Sequence, residues 1–218
     1  VGNLPFNFYR GSAVVYKDEL YILGGNEYRT KNSKYNGTSW SGATDIPYNF
    51  YGGSAVVYKD EIHLLGSTYS ATYYKYHYKF NGSSWTNVGN LPFDFHYGSA
   101  VVKDNELHIL GGSAHSQYHY KYNGTSWTSV STLPYGFHFS SAVVKDNEIH
   151  ILGSGNSTYY TAHYKFNGIK WTSVSTLPYN FYGGGGVVYN KAINLLGGST
   201  STTKHYELRN IYIKGGAA

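Results

Sequence analysis

Five Leu-Pro or Ile-Pro steps recur along the chain at nearly regular intervals. They contain every proline among the 218 residues and lie at Leu4-Pro5, Ile46-Pro47, Leu91-Pro92, Leu133-Pro134 and Leu177-Pro178. Successive prolines are 42, 45, 42 and 44 residues apart. The four tryptophans keep the same period, at Trp40, Trp85, Trp127 and Trp171. A period of this size predicts a repeat architecture of five units, at residues 1–45, 46–90, 91–132, 133–176 and 177–218.

Each unit contains four short segments with the composition of β-strands. In the first unit these are Gly11 to Tyr16, Leu20 to Leu23, a segment that ends at Tyr35 and one that begins at Trp40. A charged turn at Lys17-Asp18-Glu19 joins the first two segments, and the Asn36-Gly37 step between the last two suits a tight hairpin. Four strands per unit predict a propeller blade. The second strand is apolar on both sides, as expected where blade packs on blade.

Four features recur from unit to unit. In the first unit they are the glycine doublet Gly24-Gly25, an aromatic residue before the turn, Trp40 at the start of the fourth strand and the exit Ile46-Pro47. In this respect the chain resembles the kelch repeat over nearly its whole length, which implies an all-β, five-bladed β-propeller. Kelch proteins often carry an arginine at a fixed offset before the glycine doublet. Only Arg10 keeps it here, and the equivalent residues are Gly52, Tyr97, Phe139 and Gly183.

The two ends of the chain predict a closed ring. Val1 to Pro5 repeats Val88 to Pro92, which is the end of a fourth strand and the exit from it. Ile211 to Lys214 stands where a fourth strand is expected in the last unit. We therefore expect one propeller domain over residues 1–218, with the termini meeting in the last blade. A fragment of a longer ring is the alternative.

Several classes of protein are excluded by composition. Aromatic residues at 18% and hydrophobic residues at 41% are too abundant for a disordered chain. The chain has no cysteine, so it can form neither a disulfide framework nor a thiolate metal site. No apolar run approaches the roughly 20 residues of a membrane helix, and we expect no membrane insertion. The net charge of +5 comes largely from lysines at equivalent places in the units, so we expect no nucleic-acid partner.

Acidic and histidine residues also follow the repeat. Eight of the twelve carboxylates belong to the turn after the first strand: Asp18, Glu19, Asp60, Glu61, Asp104, Glu106, Asp146 and Glu148. Seven histidines recur in the second and third strands: His63, His108, His150, His77, His119, His163 and His205. Residues repeated around a ring indicate packing between blades. The tight-turn sequences resemble part of the sialidase aspartate box, but the aspartate is missing. We expect no enzyme, no metal site and no cofactor.

The units differ most in two connections, which in kelch-like propellers open on the same face. One joins the fourth strand to the next first strand, and the other joins the second strand to the third. Packing positions should agree around the ring, whereas ligand-binding positions are free to differ. After an invariant phenylalanine, the first connection carries Tyr9-Arg10, Tyr51-Gly52, His96-Tyr97, His138-Phe139 and Tyr182-Gly183. We predict a binding site formed by Tyr9, Arg10, Tyr51, His96, Tyr97, His138, Phe139 and Tyr182, with His115 from the second connection.

Aromatic faces beside neutral hydrogen-bonding groups suit a glycan or another small polar ligand, with Arg10 as an anion contact. A non-enzymatic binding module that acts as a monomer is therefore the first interpretation. A protein or peptide is a ligand of nearly equal fit, so a protein-interaction scaffold is the second. A sugar-active enzyme is the third, because acid/base groups are scarce. A designed or recently amplified propeller without an evolved ligand is a further alternative.

Overall fold

The protein consists of antiparallel sheets arranged in a ring. Its computed structural model describes residues 2–27, 29–69, 72–112, 117–198 and 203–209. The first two sheets contain β1 (Ser12–Tyr16), β2 (Glu19–Leu23), β3 (Asn32–Tyr35), β4 (Trp40–Gly42), β5 (Ser54–Tyr58), β6 (Glu61–Tyr69), β7 (Thr72–Phe80) and β8 (Trp85–Asn90). The next two contain β9 (Ser99–Lys103), β10 (Glu106–Leu110), β11 (His119–Tyr122), β12 (Trp127–Ser129), β13 (Ser141–Lys145), β14 (Glu148–Leu152), β15 (His163–Phe166) and β16 (Trp171–Ser173). The fifth contains β17 (Gly185–Tyr189), β18 (Ala192–Leu196) and β19 (His205–Leu208).

Each sheet takes its strands from one sequence repeat and is one blade. The strands are neighbours in chain order within every sheet. The first strands of successive blades, β1, β5, β9, β13 and β17, lie beside one another in that order. The predicted five-bladed β-propeller is confirmed. Within the described ranges, no helix has the length and apolar composition needed to cross a membrane.

The first hairpin of each blade turns on two residues with positive φ. In the first blade Lys17 and Asp18 have φ angles of 49° and 61°, the conformation of a type I′ turn. The turn at Asn36 is longer than the two-residue type that Asn-Gly favours. The Oδ1 atom of Asn36 accepts hydrogen bonds from the backbone N–H groups of Thr38 and Ser39, both at 2.9 Å. The asparagine side chain therefore organises a four-residue loop, as such side chains commonly do in turns.

The glycine that follows the second strand fits closely against the next blade. Gly24 has a φ of 62°, and a Cβ atom at this position would overlap the carbonyl oxygen of Phe50. The N–H group of Gly25 donates to the same oxygen over 3.0 Å. The equivalent pairs of later blades make the same close approach: Gly66 with Phe95, Gly111 with Phe137 and Gly153 with Phe181. The glycine motif therefore joins successive blades.

Each pair of successive blades encloses an apolar core. Between the first and second blades, Leu23 of β2 packs with Phe50, Leu64 and Phe80, and all four side chains are fully buried. Equivalent clusters lie between the second and third, third and fourth, and fourth and fifth blades. Burial of a large apolar side chain contributes about 1.5–3 kcal/mol. In the second, third and fourth blades, one face of the second strand meets the preceding blade and the other meets the next, so the predicted two-sided burial is confirmed there.

Three blades contain a buried pair of histidines that links the second and third strands. The Nδ1 atom of His63 lies 2.7 Å from the Nε2 atom of His77. The other pairs, at 2.8 Å, are His108 with His119 and His150 with His163. The ring of His77 also packs edge-on against Trp127 of the next blade, with 5.6 Å between centroids. The predicted packing between blades is confirmed for His77 and for His119, which meets Trp171 of the next blade at 5.6 Å, whereas His205 is exposed.

The fifth blade differs from the others in the exposure of one face. Leu23 and its equivalents Leu65, Leu110 and Leu152 are completely buried by the following blade, but Leu196 is 43% exposed. On the first blade, Val15 is 67% exposed. The apolar faces on either side of this seam, between the fifth and first blades, are therefore accessible. The predicted meeting of the termini concerns Val1 and residues 211–214, which lie outside the described residues.

Candidate functional site

A row of five residues connects the blades where their first strands begin. Each follows the invariant phenylalanine by two positions and has a positive φ: Arg10 (57°), Gly52 (66°), Tyr97 (57°), Phe139 (49°) and Gly183 (67°). We call these the rim residues. The backbone N–H of each rim residue after Arg10 donates to the carbonyl of the preceding one, over 2.8, 2.6, 2.8 and 2.6 Å in chain order. Equivalent positions of different blades are thereby brought side by side.

Arg10 is held among four aromatic rings. Its Nη1 atom donates to the hydroxyl of Tyr51 over 2.7 Å and to the hydroxyl of Tyr97 over 2.9 Å. The Cζ atom lies 5.1 Å from the ring centroid of Tyr9, 5.5 Å from that of Tyr51, 5.0 Å from that of Tyr97 and 5.5 Å from that of Phe139. These separations are within the range of cation–π attraction. A single guanidinium is therefore fixed at the rim by residues of four blades.

The polarity of this cluster leaves hydrogen-bonding groups for a ligand. Burial raises the pKa of Tyr97, so its phenol is neutral at physiological pH. A guanidinium only donates, so both tyrosine hydroxyls accept from Arg10. A bond between the two phenols could use only one of their two protons, and the other stays available to an acceptor. Within the described residues, Arg10 forms no ion pair with a carboxylate.

Flat aromatic surfaces extend along the rim. Tyr97 and Phe139 are stacked, with 4.0 Å between centroids and 24° between ring planes. His96 meets Tyr97 edge-on at 5.1 Å, and His138 meets Phe139 in the same way at 5.6 Å. His96 is buried, and burial lowers its pKa, so it supports the stack as a neutral ring. Tyr182 is stacked instead on Tyr160, with 4.8 Å between centroids.

The structure brings some of the predicted site residues together and separates others. Tyr9, Arg10, Tyr51, Tyr97 and Phe139 form one cluster. His96 and His138 lie beneath it, and Tyr182 pairs with Tyr160 of the neighbouring connection. His115 lies outside the described residues. The two variable connections meet as expected, since the N–H of Asn26 donates to the carbonyl of Tyr9 over 3.0 Å, and those of Thr68 and Gly155 donate to Tyr51 and His138 over 2.8 Å.

A second arginine, missed in the sequence, lies next to the cluster. A recess of about 330 Å³ is lined by Asn26, Arg29, Tyr51, Thr68, Tyr69 and Tyr97. The Cζ atom of Arg29 lies 4.2 Å from the ring centroid of Tyr69, and its Nε atom is buried without a hydrogen-bond partner in the described chain. Tyr51 and Tyr97 line this recess and also hold Arg10. The only signal in the sequence was that Arg29 occupies a connection that varies between units.

The repeated carboxylates and the paired histidines lie away from this cluster, whereas Asp94 lies close enough to His96 to act on its pKa. Four glutamates form 2.8 Å ion pairs with third-strand lysines: Glu19 with Lys34, Glu61 with Lys79, Glu106 with Lys121 and Glu148 with Lys165. They begin the second strands, whereas each rim residue stands two positions before a first strand, so the two groups stand at opposite ends of the blades. Within the described ranges, no group of three or more His, Asp or Glu side chains could hold a metal ion.

The fold and the rim together define a five-bladed β-propeller with an aromatic, arginine-bearing face. No protein-family model matches the sequence, and no curated protein matches it. Among solved structures, the chain is similar to YjhT, also a β-propeller, with a TM-score of 0.80 and 14% identity over 91% of this chain and 75% of that one. At this identity the similarity shows the fold alone, and membership of the kelch family stays a prediction.

Proposed function

We propose that the protein is a non-enzymatic binding module for a glycan or a similar small, hydroxyl-rich ligand, held on the rim face. The observation that carries this proposal is the fixed guanidinium of Arg10, which is joined to Tyr51 and Tyr97 and surrounded by aromatic rings. An exposed arginine with donors to spare can bind an electronegative group. The rings beside it offer apolar surface to the faces of a sugar.

The adjoining recess supports the same class of ligand. Its volume of about 330 Å³ lies at the low end of small-molecule sites. Its lining combines aromatic, amide and hydroxyl groups with the guanidinium of Arg29. Tyr51 and Tyr97 belong to both places, so a ligand of two or three sugar units could contact the recess and the rim together.

The positions of the repeated acidic groups support binding rather than catalysis. Acid/base catalysis of glycosidic chemistry uses a pair of carboxylates that flank the reacting bond. The repeated carboxylates of this protein stand at the opposite end of the blades, where Glu19, Glu61, Glu106 and Glu148 pair with lysines. The buried histidines pair with one another inside the blades, and His77 and His119 also pack against a tryptophan of the next blade.

A glycan array followed by titration of the strongest ligand tests the proposal. We expect Arg10→Ala to weaken binding by about tenfold or more, because a hydrogen bond to a charged group contributes about 1.5–3 kcal/mol. Tyr51→Phe and Tyr97→Phe together keep the rings and remove the two hydroxyls that hold Arg10. Arg209→Ala and Tyr206→Phe, in the exposed part of the fifth blade, are matched controls that should bind as the native protein does.

Three results would overturn the proposal. The first is an array without any bound glycan, combined with a protein partner that is captured only when the rim is intact. The second is undiminished glycan binding by a variant with alanine at Arg10, Tyr51 and Tyr97. The third is conversion of the bound glycan to a new product during incubation, which would indicate an enzyme.

A further inference from the structure

The hydrogen-bonded row of rim residues ends at Gly183. By the order of the row, a fifth bond would run from the N–H of Arg10 to the carbonyl of Gly183. Among the described residues this bond is absent, and neither group is used by another backbone partner. The seam therefore has the Arg10 N–H on one side and the Gly183 carbonyl on the other. Between the other neighbouring blades, the equivalent N–H and carbonyl are bonded to each other.

The space above Gly183 is open. A Cβ atom built there has no heavy atom within 4 Å. At the equivalent Gly52 a Cβ atom would instead meet the ring of Tyr97. The φ angle of Gly183 is 67°, close to the 57° of Tyr97, so its backbone has the conformation that bears an aromatic side chain elsewhere on the rim. The place where a side chain would begin at Gly183 is therefore empty among the described residues.

Phe139 is the rim residue before Gly183, and its carbonyl accepts from the N–H of Gly183 over 2.6 Å. One face of the Phe139 ring is covered by Tyr97, with the two ring centroids 4.0 Å apart. The Cζ atom of Arg10 lies at similar distances from Tyr97 (5.0 Å) and Phe139 (5.5 Å), so the guanidinium stands beside the stack and not over the outer face of Phe139. Within the described residues, no aromatic ring stacks on the face of Phe139 that points away from Tyr97.

We propose that this space binds a single pyranose ring of the ligand, whose apolar face stacks on Phe139 over Gly183. The proposal rests on the glycan-binding function inferred above and locates one sugar within it. A sugar fits better than an aromatic side chain because each hydroxyl both donates and accepts. Two hydroxyls on the ring edge can accept from the Arg10 N–H and donate to the Gly183 carbonyl, which completes the row of hydrogen bonds.

Methyl β-D-glucopyranoside is a suitable probe, because its substituents are all equatorial and both ring faces expose only C–H groups. D-Glucitol has the hydroxyls without the ring and is the matched control ligand. Binding is followed by NMR titration, in which stacking on Phe139 shifts the axial ring protons of the probe upfield. We expect the native protein to bind the glucoside and to bind glucitol much more weakly.

Two variants test the location of the bound ring. Gly183→Tyr fills the space with a ring like that of Tyr97 and should abolish measurable binding, whereas Gly183→Ala should bind nearly as the native protein does. Phe139→Leu keeps an apolar side chain but removes the flat face, and it should weaken binding roughly threefold to tenfold and remove the upfield shifts. Circular dichroism and thermal unfolding establish that each variant is folded.

The outcomes separate this proposal from the function on which it rests. If glycans bind the native protein but Gly183→Tyr and Phe139→Leu bind them equally well, the ring lies elsewhere and the subsite is overturned while the binding function stands. Equal binding of glucoside and glucitol also overturns the subsite, because stacking would contribute nothing. If no saccharide binds the native protein in the array or by NMR, both proposals fail.

Discussion

The Nη1 atom of Arg10 in the first blade donates to the hydroxyl of Tyr97 in the third, 2.9 Å away although 87 positions separate the residues. The same nitrogen reaches Tyr51 of the second blade. One side chain therefore connects three blades at the rim, in addition to the backbone bonds that join neighbouring rim residues. This gives Arg10 a structural effect that can be measured without any ligand.

Replacement of Arg10 by alanine is expected to lower the free energy of unfolding by about 0.5–1.5 kcal/mol, the usual net value of a hydrogen bond in a partly exposed setting. Arg209→Ala is the control, because Arg209 is exposed and, among the described residues, its ion pair is with the nearby Glu207. It should change stability by less than about 0.5 kcal/mol. Urea unfolding of the two variants measures the loss in each. Equal losses in the free energy of unfolding would show that Arg10 does not stabilise the contact between blades.

Turn chemistry and repetition made most of the fold predictable. The four strands placed around Tyr16, Leu23, Tyr35 and Trp40 agree with the observed bounds to within one residue at the ends that were predicted. The length of the Asn36 turn was not predictable from its dipeptide, because the side chain of Asn36 competes with the cross-strand backbone bond. Strand assignment therefore depended on local signals, and those signals were repeated four or five times.

The candidate site was only partly predictable, because its geometry depends on contacts between blades. Comparison of the repeats found Arg10, Tyr51 and Tyr97, whose side chains vary and converge. It did not find Arg29, whose role depends on the fold of a single connection. The sequence also does not distinguish Leu196 from Leu110, because their local sequences are alike and their exposure depends on whether another blade covers them.

Gly111→Ala is expected to be strongly destabilising. Gly111 has a φ of 62°, and a Cβ atom there would overlap the backbone carbonyl of Phe137, which cannot move without separating two blades. Gly183→Ala is a matched control, since its φ of 67° is similar but its Cβ atom would meet nothing within 4 Å. A left-handed conformation costs an alanine about 1–2 kcal/mol, and Gly183→Ala should lose no more than that.

The overlap in Gly111→Ala should add at least about 2 kcal/mol to the loss in Gly183→Ala, as substitutions that overpack a well-packed site do. Chemical denaturation of both variants measures the difference directly. If the two alanines cost the same, the close approach of Gly111 to Phe137 does not contribute, and conformational freedom alone explains the glycine.

Acid should weaken the fold over a defined range of pH because of the histidine pairs. Burial lowers the pKa of His63, His108 and His150 to about 4. It lowers the pKa of the partners His77, His119 and His163 to about 3. An unfolded histidine has a pKa near 6.5, so the unfolded chain binds more protons than the folded one below this value. Stability is therefore fully present above about pH 6.5 and is lost progressively as the pH falls toward 4.

Urea midpoints measured between pH 7.5 and 4.5 test this dependence. The variant His63→Asn imitates the fifth blade, where Asn194 Oδ1 lies 2.7 Å from His205 Nε2. Because it removes one buried titratable ring, it should lose less stability across this range than the native protein, by about 1 kcal/mol or more. A slope that is unchanged in His63→Asn would contradict the assignment of the pH dependence to these pairs.

The exposed face of the fifth blade predicts unequal effects at two equivalent leucines. Leu110 is completely buried between the third and fourth blades, and Leu196, at the same place in the repeat, is 43% exposed at the seam. Leu110→Ala should lower the free energy of unfolding by about 2–5 kcal/mol, because it removes contacts and leaves a cavity. Leu196→Ala should cost less than about 1 kcal/mol, since water already reaches much of the side chain.

Leu196→Asp should also fold, whereas Leu110→Asp would bury an unpaired carboxylate and should not fold. Thermal and urea unfolding of the four variants measure these differences. Equal losses at the two leucines would show that the seam is covered in solution and that the first and fifth blades close against each other.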